Sequence, residues 1–114
     1  MKKKFEVLYS EKAIEFLEKL EDKSRQKIIY NIDKATFVND SELFKKLNDE
    51  IWEFRTLYNK KYYRLLSFWD KEGDEKTLVI VSHGFIKKTD KIPKSEIEKA
   101  EKYRYSYFEQ KKNK

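Results

Sequence analysis

The sequence contains no cysteine, a single proline, a single histidine and two glycines. Without cysteine, the fold can contain neither disulfide bonds nor a cysteine-based metal site, and one histidine cannot form a histidine cluster around a metal. No apolar run reaches the roughly 18–20 residues of a membrane span, and no apolar segment follows the lysine-rich start as in a signal peptide. We therefore expect a cytoplasmic protein that does not act at a membrane.

Charged and aromatic residues are abundant instead. Charged residues make up 42% of the 114 positions and aromatic residues 16%. Disordered chains are poor in large apolar groups, so this aromatic content predicts a folded protein with a core of bulky rings. A chain of this length can bury such a core, and it is too short for two ordinary domains. We expect a single domain over residues 1–114.

The positive charge is concentrated near the C-terminus. Residues 87–114 contribute +5 of the formal net charge of +6, with ten lysines and arginines against five acids. A localised basic surface is the expected footprint of a protein that binds a polyanion. A solvated, lysine-rich terminal helix would give the same count, so the charge alone leaves both interpretations open.

Hydrophobic periodicity predicts an α+β fold with the order β-α-α-β-β-β-α. Ser10 is a plausible N-cap after the first strand, and Pro93 suits the first turn of the last helix. The predicted fold is a small antiparallel sheet with an N-terminal helical hairpin on one face and a C-terminal helix. The predicted strands are Phe5–Tyr9, Ile51–Leu57, Tyr62–Trp69 and Thr77–Ser82, and the predicted breaks are Glu21–Ser24, Tyr58–Lys61 and Asp70–Glu75.

Two of the predicted strands contain arginines among apolar residues. Period-two alternation places Glu53 and Arg55 on the face opposite Trp52, and it places Arg64 on the same face as Tyr62. An arginine is expensive to bury unpaired, so Arg64 must reach an acid, a phosphate or solvent. A structural salt bridge, for example with Glu53 or Asp49, is the alternative to a functional role.

The segment after the apolar strand combines a histidine, a glycine and two lysines. Gly84 permits a close backbone approach or an unusual turn. A lone histidine such as His83 is more often structural than catalytic, and a pair such as Lys87 and Lys88 is more often solvated. Tyrosines near lysines suit RNA, because rings stack on bases while cations hold phosphates. Helical tyrosines are nevertheless more often part of a core.

These segments resemble the HigB-type branch of the RelE/ParE toxin superfamily, in its phage-derived toxin-like group. The resemblance covers nearly the whole chain, and the strand and glycine–lysine block is its more specific part. The residues that carry it are Ile51-Trp52-Glu53-Phe54-Arg55, Tyr63-Arg64-Leu65-Leu66-Ser67-Phe68, His83-Gly84-Phe85-Ile86-Lys87-Lys88-Thr89, Ile92-Pro93, Glu96-Ile97 and Ala100.

The resemblance implies the toxin of a type II toxin–antitoxin system, an endoribonuclease that cuts mRNA in the ribosomal 30S A site. Catalysis in such toxins needs no metal and no cofactor: the ribose 2′-hydroxyl attacks the adjacent phosphate and leaves a cyclic phosphate. The implied catalytic residues are Arg64, Lys87, Lys88, Arg55 and Glu53. The implied RNA-binding residues are Lys60, Lys61, His83, Tyr103 and Arg104.

The sequence departs from RelE at two places. RelE has lysines in the strand that here contains Glu53, so Glu53 is either a general base or an ion-pair partner. The tyrosine that RelE carries near its C-terminal helix has Tyr103 as its candidate here.

Two alternatives use a similar basic surface without cutting RNA. A ParE-like gyrase inhibitor would have the same fold, although such chains generally lack the arginine and lysine set. A basic RNA-binding module would explain the charge and the aromatic residues but not the order of the motifs.

The resemblance also implies a partner, a helix-turn-helix antitoxin of the HigA-like kind. Such an antitoxin would restrain the toxin and repress the operon, and the oligomeric state would be set through it. A basic toxin surface would favour an acidic partner.

Overall fold

The computed structural model describes residues 2–73 and 77–113, which form a mixed α+β fold of five strands and three helices. The strands are β1 (Glu6–Tyr9), β2 (Phe44–Lys46), β3 (Trp52–Tyr58), β4 (Lys61–Asp70) and β5 (Leu78–Lys87). The helices are α1 (Glu11–Glu18), α2 (Asp22–Ala35) and α3 (Lys94–Lys112). None of these helices combines the length and the apolar character that a bilayer crossing requires.

The sheet is mixed, with the strand order β1-β5-β4-β3-β2. Strand β1 pairs in parallel with β5, whereas the other three pairs are antiparallel. The prediction of an antiparallel sheet was therefore wrong for β1. The helical hairpin and three strands lie between β1 and β5 in the sequence, so no local signal shows the direction of their pairing. The prediction also missed β2, which has three residues and is too short to show alternation.

Helices α1 and α2 cover one face of the sheet. Ser10 caps α1 as predicted, with its hydroxyl accepting a hydrogen bond from the Ala13 N–H at 3.1 Å. Helix α2 begins at Asp22, so the predicted break at Glu21–Ser24 is shorter than expected. The largest buried side chains between the helices and this face are Ile28, Ile32, Phe54, Leu65 and Val79.

Helix α3 covers part of the opposite face, where Leu66, Phe68 and Ile80 pack against Ala100. Its C-terminal end is held by Asp70, the last residue of β4. The Tyr107 hydroxyl and the Lys111 ammonium each donate a hydrogen bond of 2.7 Å to Asp70 Oδ2. The spacing of residues along α3 therefore places Tyr107 and Lys111 at the buried carboxylate of Asp70. The same spacing places the apolar residues of α3 against the core.

Strand β5 continues well beyond the predicted Ser82 and reaches Lys87. A register shift occurs opposite Leu66 and Ser67, so Ser82 is the extra residue of a bulge. Gly84 lies inside the strand, where the ring of Phe16 on α1 packs directly against its backbone. The close-approach interpretation of Gly84 is confirmed, and the turn interpretation was wrong. The predicted turn Asp70–Glu75 lies partly outside the described residues.

Replacing Gly84 by alanine should destabilise the fold. The new Cβ would lie 2.4 Å from Phe16 Cδ2, so the ring or the strand must move. We expect a loss of about 1–3 kcal/mol in the free energy of unfolding, measured by urea titration. Gly73→Ala is the matched control, because no atom of the described residues lies within 4 Å of a Cβ at that position. Equal stability of the two variants would contradict the packing of α1 on β5.

Replacing Asp70 by asparagine should weaken the attachment of α3 in a pH-dependent way. Burial acts to raise the pKa of Asp70, but hydrogen bonds from Lys111, Tyr107 and the Glu72 N–H together hold it below its usual value. A lowered pKa stabilises the folded state above the unfolded pKa of about 4, and this contribution disappears as the pH falls toward the folded value.

We expect Asp70→Asn to cost about 1–2 kcal/mol at pH 7. The difference from the wild type should shrink as the pH falls below about 4, because the carboxylate of the unfolded chain takes up a proton there before that of the folded protein does. Thermal unfolding at a series of pH values would measure this difference in stability. A difference that stays constant on acidification would show that the charge of Asp70 contributes nothing.

Candidate functional site

One end of the α3-side sheet face is not covered by α3. There β3, β4 and β5 bring together five side chains, which we call the Glu53 cluster. Cross-strand neighbours project to the same side of a sheet, and the register pairs Arg55 with Arg64, and Tyr62 with Lys87. The members of the cluster are Glu53, Arg55, Tyr62, Arg64 and Lys87.

A buried ion pair lies at the centre of the Glu53 cluster. Glu53 Oε1 is 3.1 Å from Arg64 Nε, and the two residues are 4% and 3% exposed. The Arg64 guanidinium also donates a hydrogen bond of 3.0 Å to the Tyr63 carbonyl. Burial lowers the pKa of Arg64, and the neighbouring Glu53 carboxylate opposes that shift. The salt-bridge interpretation of Arg64 is therefore confirmed, and a phosphate could reach only a small part of its surface.

Arg55 lies between the buried pair and solvent. Its Nε is 3.8 Å from Glu53 Oε2, so the two carboxylate oxygens of Glu53 face two different arginines. On its outer side, Arg55 lies 3.6 Å from Glu42 and 3.4 Å from the Ser41 carbonyl. This arrangement makes Glu53 an ion-pair partner that orients both guanidinium groups. A carboxylate held between two arginines is poorly placed to act as a general base.

Tyr62 provides an exposed ring beside the cations. The Arg64 guanidinium carbon and the Lys87 ammonium each lie 5.8 Å from the centre of the ring. Tyr62 is 46% exposed, so part of the ring is open to solvent. Lys87 is the last residue of β5, where its ammonium donates a hydrogen bond to the Asp90 carbonyl. The ring is thus flanked by one buried and one partly exposed cation.

The hydrogen-bonding capacity of the Glu53 cluster is incompletely used. Among the residues that the structure describes, three buried atoms of the cluster have no well-aligned hydrogen bond: Glu53 Oε1, Arg55 Nε and Arg64 Nε. The short contact between Glu53 and Arg64 is therefore mainly a charge attraction. Buried polar groups without partners are rare in folded proteins and are found at functional sites. The cluster can attract an anion and can stabilise charge that develops on it.

Three further predicted lysines lie at the margin of this open face. Lys60 occupies the β3–β4 turn, where Asn59 and Lys60 both have positive φ angles, of 51° and 66°. Lys61 begins β4, and Lys88 follows directly after β5. All three are exposed. Because the predicted hairpin loop and the end of β5 meet at the same end of the sheet, these lysines extend the positive charge around Tyr62.

His83 is placed differently from the prediction. Its Nδ1 lies 3.0 Å from the Ser82 hydroxyl and its Nε2 lies 2.9 Å from Glu96 Oε1 on α3. Burial lowers the pKa of His83, while Glu96 acts in the opposite direction. With both ring nitrogens occupied, His83 links β5 to α3 and offers no free ring nitrogen to RNA.

Tyr103 and Arg104 are also engaged with other parts of the fold. The ring of Tyr103 packs on Phe68, with 6.1 Å between the ring centres. Burial raises the pKa of the Tyr103 hydroxyl, and Glu11 adds to the shift. Arg104 forms an ion pair of 2.9 Å with Glu50 and lies over the ring of Phe108. The structure therefore does not bring these two residues into the Glu53 cluster.

The sequence-based site omitted Tyr62, which is a member of the cluster, and two residues that border it. The sequence contains the information needed to include Tyr62, because alternation already placed it on the same face of its strand as Arg64. Phe85 faces Arg64 across the sheet, but only the unpredicted extension of β5 shows this. Lys45 is the partner of Glu53 on β2, and it gave no signal because β2 was not predicted.

Replacing Glu53 by glutamine tests the buried ion pair. The substitution keeps the shape and removes the charge, which leaves Arg64 buried without a counter-ion. We expect a loss of about 3–5 kcal/mol in unfolding free energy. Combining Glu53→Gln with Arg64→Met removes both charges and should recover much of this loss. A double variant as unstable as the sum of the single variants would show that the two side chains are not coupled.

The chain shows similarity to a known protein family. No curated protein matches the chain. A family model described as Phage derived protein Gp49-like (DUF891) matches residues 15–105, which include the second half of α1, all of α2 and all members of the Glu53 cluster. This family falls within the toxin-like RelE/HigB-type group. The chain belongs to the Gp49-like family of phage-derived proteins.

Proposed function

We propose that this protein is the toxin of a type II toxin–antitoxin system and that it cleaves mRNA on the ribosome. The observation that carries the proposal is the Glu53 cluster, a set of cations and an exposed aromatic ring on an open sheet face. Membership of the Gp49-like family, within a toxin-like group, supports the toxin role. The cations and the aromatic ring of the cluster suit a ligand that carries both phosphates and bases, as RNA does.

The proposed reaction needs few groups from the protein. The ribose 2′-hydroxyl loses its proton and its oxygen attacks the adjacent phosphorus in line. The bond from phosphorus to the 5′-oxygen breaks and that oxygen takes up a proton, which leaves a 2′,3′-cyclic phosphate and a 5′-hydroxyl. Negative charge grows on the phosphoryl oxygens in the transition state, where preorganised cations lower the barrier. Arg55 and Lys87 are the more accessible cations of the cluster. Arg64 adds its charge from its buried position in the sheet, and Glu53 holds the guanidinium groups of Arg55 and Arg64 in place.

Tyr62 provides the means to position the RNA. Its exposed ring can stack on a base while Lys87 holds a neighbouring phosphate, and such stacking is worth about 1–3 kcal/mol per base. Holding the nucleotide on both sides of the reacting phosphate would restrict it to geometries close to in-line attack. Lys60, Lys61 and Lys88 would attract the flanking phosphates.

An endoribonuclease fits the cluster better than a gyrase inhibitor. A protein that only binds gyrase has no need for an ion pair buried beneath two more accessible cations. Keeping such a pair is costly, because an apolar pair of similar volume is often equally stable or more stable. A function that uses fixed positive charge explains why the sheet contains this buried ion pair.

The proposal includes a partner, a helix-turn-helix antitoxin encoded beside the toxin. A toxin that cuts mRNA must be restrained in the cell that makes it. The exposed lysines around the Glu53 cluster favour an acidic partner surface, and complementary charge would speed the association.

Replacing Lys87 by alanine should reduce RNA cleavage strongly. We expect a loss of about 10²–10³ in rate, because one preorganised charge at the phosphate is removed. The measurement is the mapping of RNA 5′ ends after induced expression in bacteria, together with growth. Arg55→Ala should have a similar effect. Lys19→Ala, on the outer side of the helical hairpin, is the control and should cleave like the wild type.

Two other results would contradict the proposal. Cleavage by Lys87→Ala and Arg55→Ala at the wild-type rate would remove the cluster from the reaction. Growth arrest without new RNA ends, accompanied by reduced DNA supercoiling, would instead support a gyrase inhibitor.

A further inference from the structure

A cleft lies on the sheet face opposite the Glu53 cluster. It has a volume of about 580 Å³ and opens where the C-terminal end of α2 stops covering the sheet. Trp52 and Glu53 are neighbours on β3 and therefore project to opposite faces, so this cleft and the cluster lie back to back. The residues that line the cleft are Lys4, Phe5, Ala35, Val38, Asn39, Trp52, Trp69, Lys71 and Thr77.

Flat aromatic rings form the floor of the cleft. Trp52 and Trp69 meet edge to face at 5.8 Å, and both are only partly buried. They are supported from behind, since Trp52 stacks on Phe44 at 4.8 Å and Trp69 contacts the edge of Phe5 at 5.0 Å. The rings are thus held rigidly while part of their surface remains open.

Lysines surround the two tryptophans. The Lys71 ammonium lies 5.8 Å from the Trp69 ring centre. Lys46 is the cross-strand partner of Trp52 and projects to the same side. The backbone N–H of Lys4 donates a hydrogen bond of 2.7 Å to the Thr36 carbonyl, which fixes Lys4 against the end of α2. Within residues 2–73 and 77–113, no acidic residue lines the cleft.

We infer that this cleft is a second binding site and that its occupant is single-stranded RNA. Bases would stack on Trp52 and Trp69, while phosphates on either side would meet Lys4, Lys46 and Lys71. Aromatic platforms flanked by cations are the usual means of binding single strands without reading their sequence. Three lysines near the rings favour a strand with several phosphates over a mononucleotide. The inference goes beyond the nuclease proposal, because it uses the other face of the sheet.

The tryptophans give a direct test, since Trp52 and Trp69 are the only two in the chain. Their fluorescence therefore reports on the cleft and not on the Glu53 cluster. The probe is a 2′-O-methyl octauridylate, which has no free 2′-hydroxyl and cannot be cut by the proposed reaction. We expect saturable quenching when this probe is titrated into the wild-type protein, weakening as salt is raised.

Charge reversals separate the cleft from other basic surfaces. Lys4→Glu with Lys71→Glu should weaken the quenching titration about tenfold, because two phosphate contacts become repulsive. Lys19→Glu with Lys23→Glu makes the same charge change at the other end of α2 and should have little effect. Lys60→Glu with Lys61→Glu changes the margin of the Glu53 cluster and should also leave the quenching unchanged.

Several results would overturn the inference. These are the absence of quenching, equal weakening in all three double variants, or uridine monophosphate binding as tightly as the octamer. Quenching by an acidic peptide of glutamates and leucines, with none by the octamer, would assign the cleft to a protein partner instead. None of these results depends on whether the protein cleaves RNA, so the two proposals can fail separately.

Discussion

The buried ion pair between Glu53 and Arg64 is the interaction on which the rest of the site depends. Removing a charge from water is costly, so each of the two side chains is acceptable only in the presence of the other. A slip of one residue between β3 and β4 would move Glu53 to the face covered by α1 and α2 and leave Arg64 without a partner. The pair thus specifies the register that places Arg55 beside it and Tyr62 and Lys87 around it.

The two faces of the sheet are used differently. One face is covered by the helical hairpin, with Phe16 packed on the backbone of Gly84, and has the cleft beyond the end of α2. The other face is closed by α3, which is attached at one end by His83 and Glu96 and at the other by Asp70. The uncovered end of that face retains the Glu53 cluster. Both candidate sites therefore lie where a helix stops covering the sheet.

Much of the fold could be predicted from the sequence because its signals are local. The cap at Ser10, the alternation in β3 and β4, and the helical spacing of α3 each arise within a few residues. The parallel pairing of β1 with β5 and the short strand β2 could not be predicted, because they depend on contacts between distant segments. Gly84 shows the same limit: the sequence indicates a special backbone position, but only the fold brings Phe16 to it.

The candidate site was predictable to a similar extent. Alternation placed Glu53 and Arg55 on one face of β3 and Arg64 on the same face of β4 as Tyr62, and it left open a salt bridge to Arg64, which the structure confirms with Glu53. It could not show that His83 would be occupied by Glu96, or that Arg104 would pair with Glu50, since these acids lie on other elements. The catalytic roles of Arg64, Lys87 and Lys88 stay predictions, as does the identity of the general acid and base.

The most direct test of the central claim is the chemistry of the RNA ends. A model mRNA on purified ribosomes would be treated with the wild-type protein, once as natural RNA and once with a single 2′-deoxyribose at the cleaved position. The account predicts a 2′,3′-cyclic phosphate on the natural RNA and no cleavage of the substituted one. A 3′-hydroxyl end, or cleavage that continues at the deoxyribose, would contradict it.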